Sequence, residues 1–160
     1  MSGNRGTDER HSLRGAIDRP ALLTIRDVFN DEEPLAAAKL DDFLDPTTLE
    51  VTFDDGLCGA DTCRVDVQWT VEDDYKFHYT GTQNINFRWG KHPHHGDYVN
   101  VVGLEHYHPP PNASSDPNDV EDSCITQSLE VLVARAVLKL WRTAYHADSF
   151  APLNAGSNPR

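Results

Sequence analysis

The stretch RVDVQWTVEDDYKFHYTGTQNINFRW, residues 64–89, decides the fold. Val65, Val67, Trp69 and Val71 alternate with Arg64, Asp66, Gln68 and Thr70. Glu72, Asp73 and Asp74 interrupt the pattern, and Tyr75, Phe77 and Tyr79 then alternate with Lys76, His78 and Thr80. After a second polar turn at residues 81–83, Ile85, Phe87 and Trp89 alternate with Asn84, Asn86 and Arg88. Successive side chains of a strand point to opposite faces. Strict alternation joined by short polar turns therefore predicts an antiparallel meander with one buried face.

Working outward, Leu49, Val51 and Phe53 alternate with Glu50, Thr52 and Asp54 and extend the series upstream. Downstream, an apolar run over residues 98–104 continues to His108, where Pro109, Pro110 and Pro111 stop it because proline lacks the ladder donor. The expectation is a five-stranded antiparallel sheet. Ahead of it, Pro20 opens a short helix carrying Leu22, Leu23, Ile25 and Val28. Residues 35–44, between Pro34 and Pro46, read as a second short helix with Leu40, Phe43 and Leu44 on its apolar side. Behind the sheet, residues 120–146 hold the clearest helical pattern, with Ile125, Leu129, Leu132, Val133, Ala136, Leu140 and Trp141 at helical spacing. This predicts an α+β fold: a single domain over residues 13–150 with the long C-terminal helix packed on the apolar face of the sheet. Residues 1–12 and 151–160 read as disordered tails.

The chain has 160 residues, room for one domain with a real core, and no apolar run of membrane-spanning length. The start of the chain offers no apolar segment to act as a secretory signal. Three cysteines do not make a disulfide scaffold. The formal charge is −12, with 26 acidic against 14 basic side chains, and a field of that sign repels nucleic acid. Asp dominates the acids and Arg the bases. Such a balance fits a cytoplasmic protein of a halophilic cell, in which acidity serves solubility and salt screens repulsion from a polyanion, or an ordinary acidic protein. The acids crowd into the ends, turns and N-terminal segments, whereas residues 84–95 contain none.

That acid-free stretch carries the candidate chemistry. It reads Arg88, Trp89, Gly90, Lys91, His92, Pro93, His94, His95, and the chain returns at His106, Tyr107 and His108. Five of the eight histidines fall within residues 92–108. His106 and His108 share a strand face. Clustered imidazoles have three readings. They can give and take protons across a scissile phosphodiester, with Arg88 and Lys91 as the nearest cations. They can bind a metal, although the spacing matches no standard zinc signature. They can pack structurally on Trp89, Tyr98 and Tyr107.

Phe87-Arg88-Trp89, followed after three residues by Pro93-His94-His95 and then by His106-Tyr107-His108, resembles the TumE-type toxin family of toxin–antitoxin modules. The resemblance covers residues 65–108 and the last helix. Gly90 stands where an Asp is usual in that pattern. The resemblance implies a toxin partnered by a small helix-turn-helix antitoxin. Joined to the histidine chemistry, it suggests a metal-independent ribonuclease acting on RNA without a cofactor. His94, His95, His106, His108 and Arg88 are its candidate catalytic residues, and Lys91, Trp89 and Tyr107 its candidate substrate contacts. The alternative is a non-catalytic, histidine-rich metal-binding or protein-interaction module of a halophile.

Two weaker signals remain. Cys58 and Cys63 lie in a Gly-containing loop and read as zinc ligands or as incidental thiols. Arg135, Lys139, Arg142 and His146 form a basic stripe along the last helix, either solvated or a dock for phosphates or an acidic partner.

Overall fold

The computed structural model describes residues 13–94 and 97–155. Helix α1 (Arg19–Glu32) leads into seven strands: β1 (Ala36–Leu40), β2 (Leu49–Phe53), β3 (Cys63–Trp69), β4 (Tyr75–Gly81), β5 (Asn86–Lys91), β6 (Glu105–His108) and β7 (Glu121–Asp122). Helix α2 (Glu130–Ala147) and a short 3-10 turn (Ala151–Asn154) follow. The strands lie side by side in chain order, every neighbour antiparallel. The meander and its buried face are as the alternation of residues 64–89 requires: Val65, Val67, Trp69, Tyr75, Phe77, Tyr79, Phe87 and Trp89 are all buried.

Both helices cover that apolar face. Asp18 caps α1 by accepting from the Ala21 N–H at 3.0 Å, and Pro20 sits in the first turn, where a missing donor costs nothing. Leu22, Ile25, Val28 and Phe29 make the stripe that α1 buries. From α2, Trp141 stacks on Phe53 at 4.4 Å, and Phe29 meets Phe53 edge-on at 6.2 Å. This three-way aromatic junction ties both helices to β2. Helix α2 stops where Asp148 turns left-handed (φ 51°) and its N–H reaches back to the Ala144 and Tyr145 carbonyls.

The sheet has seven strands among the described residues, not five, and two assignments change. Residues 35–44 are not a helix. Ala36, Ala37 and Ala38 are good helix formers, but they pair with Phe53, Thr52 and Val51 as strand β1. Ladder bonds, with Ala38 and Leu40 turned into the core, outweigh propensity here. Phe43 and Leu44, read as a buried side, are exposed in the turn after β1, where the Arg19 guanidinium lies 4.3 Å over the Phe43 ring. Strand β7 is only two residues long, too short to leave an alternating signature.

The fifth strand is shorter than expected. Residues 98–104 are a loop exposing Val99 and Val102, and only residues 105–108 pair with β5. Helix α2 begins ten residues later than residue 120. Leu129 and Leu132, counted in its apolar stripe, are exposed, while Val120 and Ile125 are buried from irregular backbone. Residues 151–155 do not fit a disordered tail. Leu153 is fully buried, its carbonyl accepts from the Trp89 indole N–H at 3.1 Å, and Asn154 accepts from the Cys124 N–H at 2.7 Å. The expected tails at residues 1–12 and 156–160 lie outside the described residues.

Candidate functional site

The register of the meander builds the site. On the face away from the helices, Asp66 stands opposite His78, His78 opposite Arg88, and Arg88 opposite His108. One step along the strands, Gln68 stands opposite Lys76, Lys76 opposite Gly90, and Gly90 opposite His106. The residues with chemistry form two cross-strand rows on one polar face, an arrangement that β pairing produces from distant segments.

Arg88 is the centre of the upper row. One guanidinium nitrogen lies 3.1 Å from His108 Nε2. The Nδ1–H of His108 donates to the Ser114 carbonyl at 2.9 Å, so Nε2 carries the lone pair that accepts from Arg88. Arg88 Nε is buried with no hydrogen-bond partner. No acidic side chain among the described residues forms an ion pair with this guanidinium. Burial lowers the pKa of Arg88, and burial followed by the repulsion of Arg88 lowers that of neighbouring Lys76. Arg88 and Lys76 stand close together at this end of the face, and the charged form of each is disfavoured chiefly by burial.

The imidazoles beside Arg88 are held neutral. Burial, then the charges of neighbouring His92, His108 and Arg88, pushes His106 down to about 3 despite its hydrogen bond to Leu104. Burial and Arg88 push His108 down to about 4. His78 and His92 are lowered too, both chiefly by burial. His106 donates Nδ1–H to the Leu104 carbonyl at 2.8 Å, which leaves Nε2 a buried acceptor without a partner. That Nε2 sits over Gly90, where an added Cβ would meet it at 3.2 Å. The rings of His92, His108 and Tyr98 surround His106 at 4.6, 5.0 and 5.3 Å.

Sequence-predicted residues separate by strand parity. Arg88, His106 and His108 share the polar face, but His106 and His108 are completely buried beneath their neighbours. His94 joins the cluster from the loop, with its ring 5.2 Å from Tyr98 and its Nε2–H donated to the Gly103 carbonyl at 2.8 Å. His95 lies outside the described residues. Trp89 and Tyr107 pair across β5 and β6 on the opposite, apolar face, 1% and 3% exposed. They are core residues and do not reach a ligand on the polar face. Lys91 pairs with Tyr75 and Glu105 and shares the parity of Trp89, at the end of the strand. Adjacent Arg88 and Trp89 cannot face the same way, so the sequence itself carried this correction. Lys76, His78, His92 and Tyr98 stand beside Arg88, His106 and His108, although none was among the candidate site residues. Shared parity with Arg88 marks the first two.

A groove of about 390 Å³ crosses the polar face, with Arg88, Lys76 and His78 at one end and Asp66, Glu50 and Asp41 at the other. Its size lies in the range of small-ligand sites, roughly 300–1,000 Å³. Among the described residues no three His, Cys, Asp or Glu side chains are placed to hold one metal ion. Cys63 is buried and Cys58 half-buried, and both are free thiols.

A family profile described as Toxin TumE matches residues 25–137, more than two thirds of the chain. The chain belongs to the TumE toxin family. The matched span includes all seven strands and every residue of the two polar rows. Membership in a TumE toxin family implies an antitoxin partner. Neither the curated proteins nor the solved structures gave a match to this TumE-family chain. Among the described residues it has no helix long and apolar enough to cross a membrane.

The basic stripe on α2 is not an open dock. Arg135 pairs with Glu32 at 2.9 Å and Arg142 with Glu33 at 2.8 Å, so two of its four members clamp α1 to α2.

Proposed function

We propose that this chain is the toxin of a toxin–antitoxin pair and acts on RNA as a metal-independent ribonuclease through the polar face of its sheet. The observation that carries the reading is Arg88. It is a half-buried guanidinium, gripped by a neutral imidazole and lacking any carboxylate partner among the described residues. A desolvated cation without an anion invites one, and a phosphodiester supplies the charge in the bidentate geometry that guanidinium prefers.

The chemistry follows from the neutral imidazoles. With the phosphate on Arg88, the adjacent ribose 2′-hydroxyl attacks phosphorus and gives its proton to the His92 ring, half-buried at the edge of the cluster. The P–O5′ bond breaks and the departing 5′-oxygen takes a proton from Lys76, whose lowered pKa suits it to donate. The products are a 2′,3′-cyclic phosphate and a free 5′-hydroxyl. Bound phosphate also offsets the positive charge that disfavours protonated imidazole. His106 and His108 act from beneath as positioning residues, and His94 holds the loop that carries Tyr98. The antitoxin is a small helix-turn-helix protein, and the pair works in the cytoplasm of a halophilic archaeon, where salt screens the repulsion between an acidic chain and RNA.

The test incubates the purified chain with a labelled RNA in the presence of a chelator, together with the Arg88→Ala variant. Cleavage to cyclic-phosphate ends, lost in the variant, supports the reading. Growth inhibition by Arg88→Ala equal to wild type overturns it.

A further inference from the structure

The polar groove is charged differently at its two ends, and ribonucleolytic attack at Arg88 uses only one of them. The cross-strand row that contains Arg88 continues through His78 and Asp66 to Glu50. Arg88 and Glu50 are three strand spacings apart, about 14 Å at about 4.8 Å per strand. Asp66 is already engaged: Arg64 pairs with it at 3.0 Å. Glu50 has no ion pair among the described residues, although it stands opposite Lys39 on β1. It is half-buried on the groove wall.

We infer that the Glu50 end of the groove is a base-reading subsite that selects guanine in the nucleotide whose phosphate sits on Arg88. The inference rests on the RNA reading above. A nucleotide is a bipolar ligand, with an anionic phosphate at one end and a hydrogen-bonding base edge at the other, and the groove repeats that polarity, Arg88 and Glu50 lining it from strands three spacings apart. A carboxylate offers two parallel acceptors. Guanine is the base whose Watson–Crick edge presents two adjacent donors, N1–H and the 2-amino group, so it alone pairs bidentately with a carboxylate. Adenine and uracil bring an acceptor against Glu50 and leave it unsatisfied, and cytosine offers a single donor group beside an acceptor. The penalty for a buried acceptor without its donor is what makes such a site discriminate. His78, next to Arg88 in the row, faces the sugar. Its Nε2 lies 2.8 Å from Asn86 Oδ1, so with Nε2–H donating there the ring is fixed and Nδ1 is left to accept from a ribose hydroxyl.

Calorimetric titration of the full chain with 3′-GMP, 3′-IMP, 3′-AMP, 3′-CMP, 3′-UMP and inorganic phosphate tests this. The expected result is 3′-GMP binding at least tenfold tighter than 3′-AMP, with 3′-IMP, which lacks the 2-amino group, in between. In Glu50→Gln the advantage of 3′-GMP over 3′-IMP and 3′-AMP should collapse to within about twofold. Equal affinity for all five nucleotides, with inorganic phosphate still bound, overturns the guanine subsite while leaving the phosphate reading intact. Absence of both phosphate and nucleotide binding in the wild type overturns the two together. An undiminished guanine preference in Glu50→Gln also overturns it, since the discrimination then lies elsewhere.

Discussion

The side chains of Arg88 and His108, twenty positions apart in sequence, meet at 3.1 Å across β5 and β6, with the imidazole as acceptor. Histidine is here a support for a cation. Its own Nδ1–H is anchored on the Ser114 carbonyl, and its positive form is suppressed first by burial and then by the charge of Arg88 in front of it. On the proposed ribonuclease reading, Arg88→Ala is expected to reduce toxicity and RNA cleavage by about 10²–10³-fold, the usual effect of removing an electrostatic stabiliser of the transition state. Arg88→Lys should recover part of the phosphate binding and little of the rate, because lysine lacks the planar fork. His108→Ala should raise KM more than it lowers kcat, as expected of a residue that acts through Arg88. Steady-state kinetics on a short RNA separates the three.

The depressed pKa values of His106 and His108 make stability depend on pH. An unfolded histidine titrates near 6.5, whereas these titrate in the fold at about 3 and about 4. As pH drops below 6.5 the unfolded chain binds protons that the folded chain refuses. Their contribution is therefore intact above pH 6.5 and is lost progressively down to about pH 4 for His108 and about pH 3 for His106. Each can cost up to about 1.4 kcal/mol per pH unit within its window. Urea unfolding at pH 7, 6 and 5 should show stability falling steeply with acidification, and His106→Asn should flatten the slope by one proton's worth. Equal stability at pH 7 and pH 5 would show that the rings are not buried neutral.

How far the sequence reveals this molecule depends on the period of each signal. Strands β2 to β5 alternate over five or more residues, and their faces follow from the text of residues 49–89. Strand β1 was hidden by its three alanines, whose helix propensity conceals a partner fifteen residues away. Strand β7 was hidden by its length. The Arg88 and histidine cluster was legible as a composition anomaly. Its division into a polar row and the core residues Trp89 and Tyr107 needed only the parity of the strand. That His106 and His108 lie beneath His92, Tyr98 and Arg88 was not legible, because burial of a polar residue depends on how loops fold over the sheet.

Gly90 sets the position of His106. A Cβ at residue 90 would come within 3.2 Å of the His106 Nε2 and 3.5 Å of the Tyr75 carbonyl oxygen. The imidazole cannot withdraw easily, since its Nδ1–H is held by Leu104 at 2.8 Å and three rings enclose it. Gly90→Ala is therefore expected to cost about 1–3 kcal/mol through overpacking, against a small gain in strand propensity. On the proposed ribonuclease reading, its cleavage rate should fall even at temperatures where the variant is fully folded. Thermal unfolding together with the imidazole NMR resonances of the variant checks this. An unshifted His106 signal would remove the glycine from the site.

Arg142 is a structural cation. Glu33 is only 6% exposed, and its carboxylate accepts from Arg142 Nε at 2.8 Å and from the Leu35 N–H at 2.9 Å. A second Arg142 nitrogen donates to the Glu32 carbonyl. Arg142→Ala strands a buried carboxylate and is expected to lower stability by about 1–3 kcal/mol. Lys139→Ala, on the same stripe but exposed and without an ion pair among the described residues, should change it by less than about 0.5 kcal/mol. If the stripe served phosphates, both variants would instead weaken RNA binding to a similar degree, which filter binding at fixed salt would reveal.

Asn30 guards the open edge of the sheet. Its side-chain amide donates to the Ala38 carbonyl at 3.1 Å and accepts from the Ala38 N–H at 2.8 Å. It thus occupies, from helix α1, the hydrogen-bonding pair that β1 would otherwise offer to another strand. An unpaired edge is a template for association between chains. The exposed alanine and lysine at residues 37 and 39 leave little else to block it except the Lys39 charge. Asn30→Ala removes both bonds at once. It should lower stability by about 1–3 kcal/mol and make the chain self-associate at high concentration. Size-exclusion chromatography across a hundredfold concentration range, at the salt that keeps the wild type monodisperse, reads the second effect. A variant that stays as monodisperse and as stable as wild type would mean that β1 needs no guard, and that Asn30 merely completes hydrogen bonds water could satisfy.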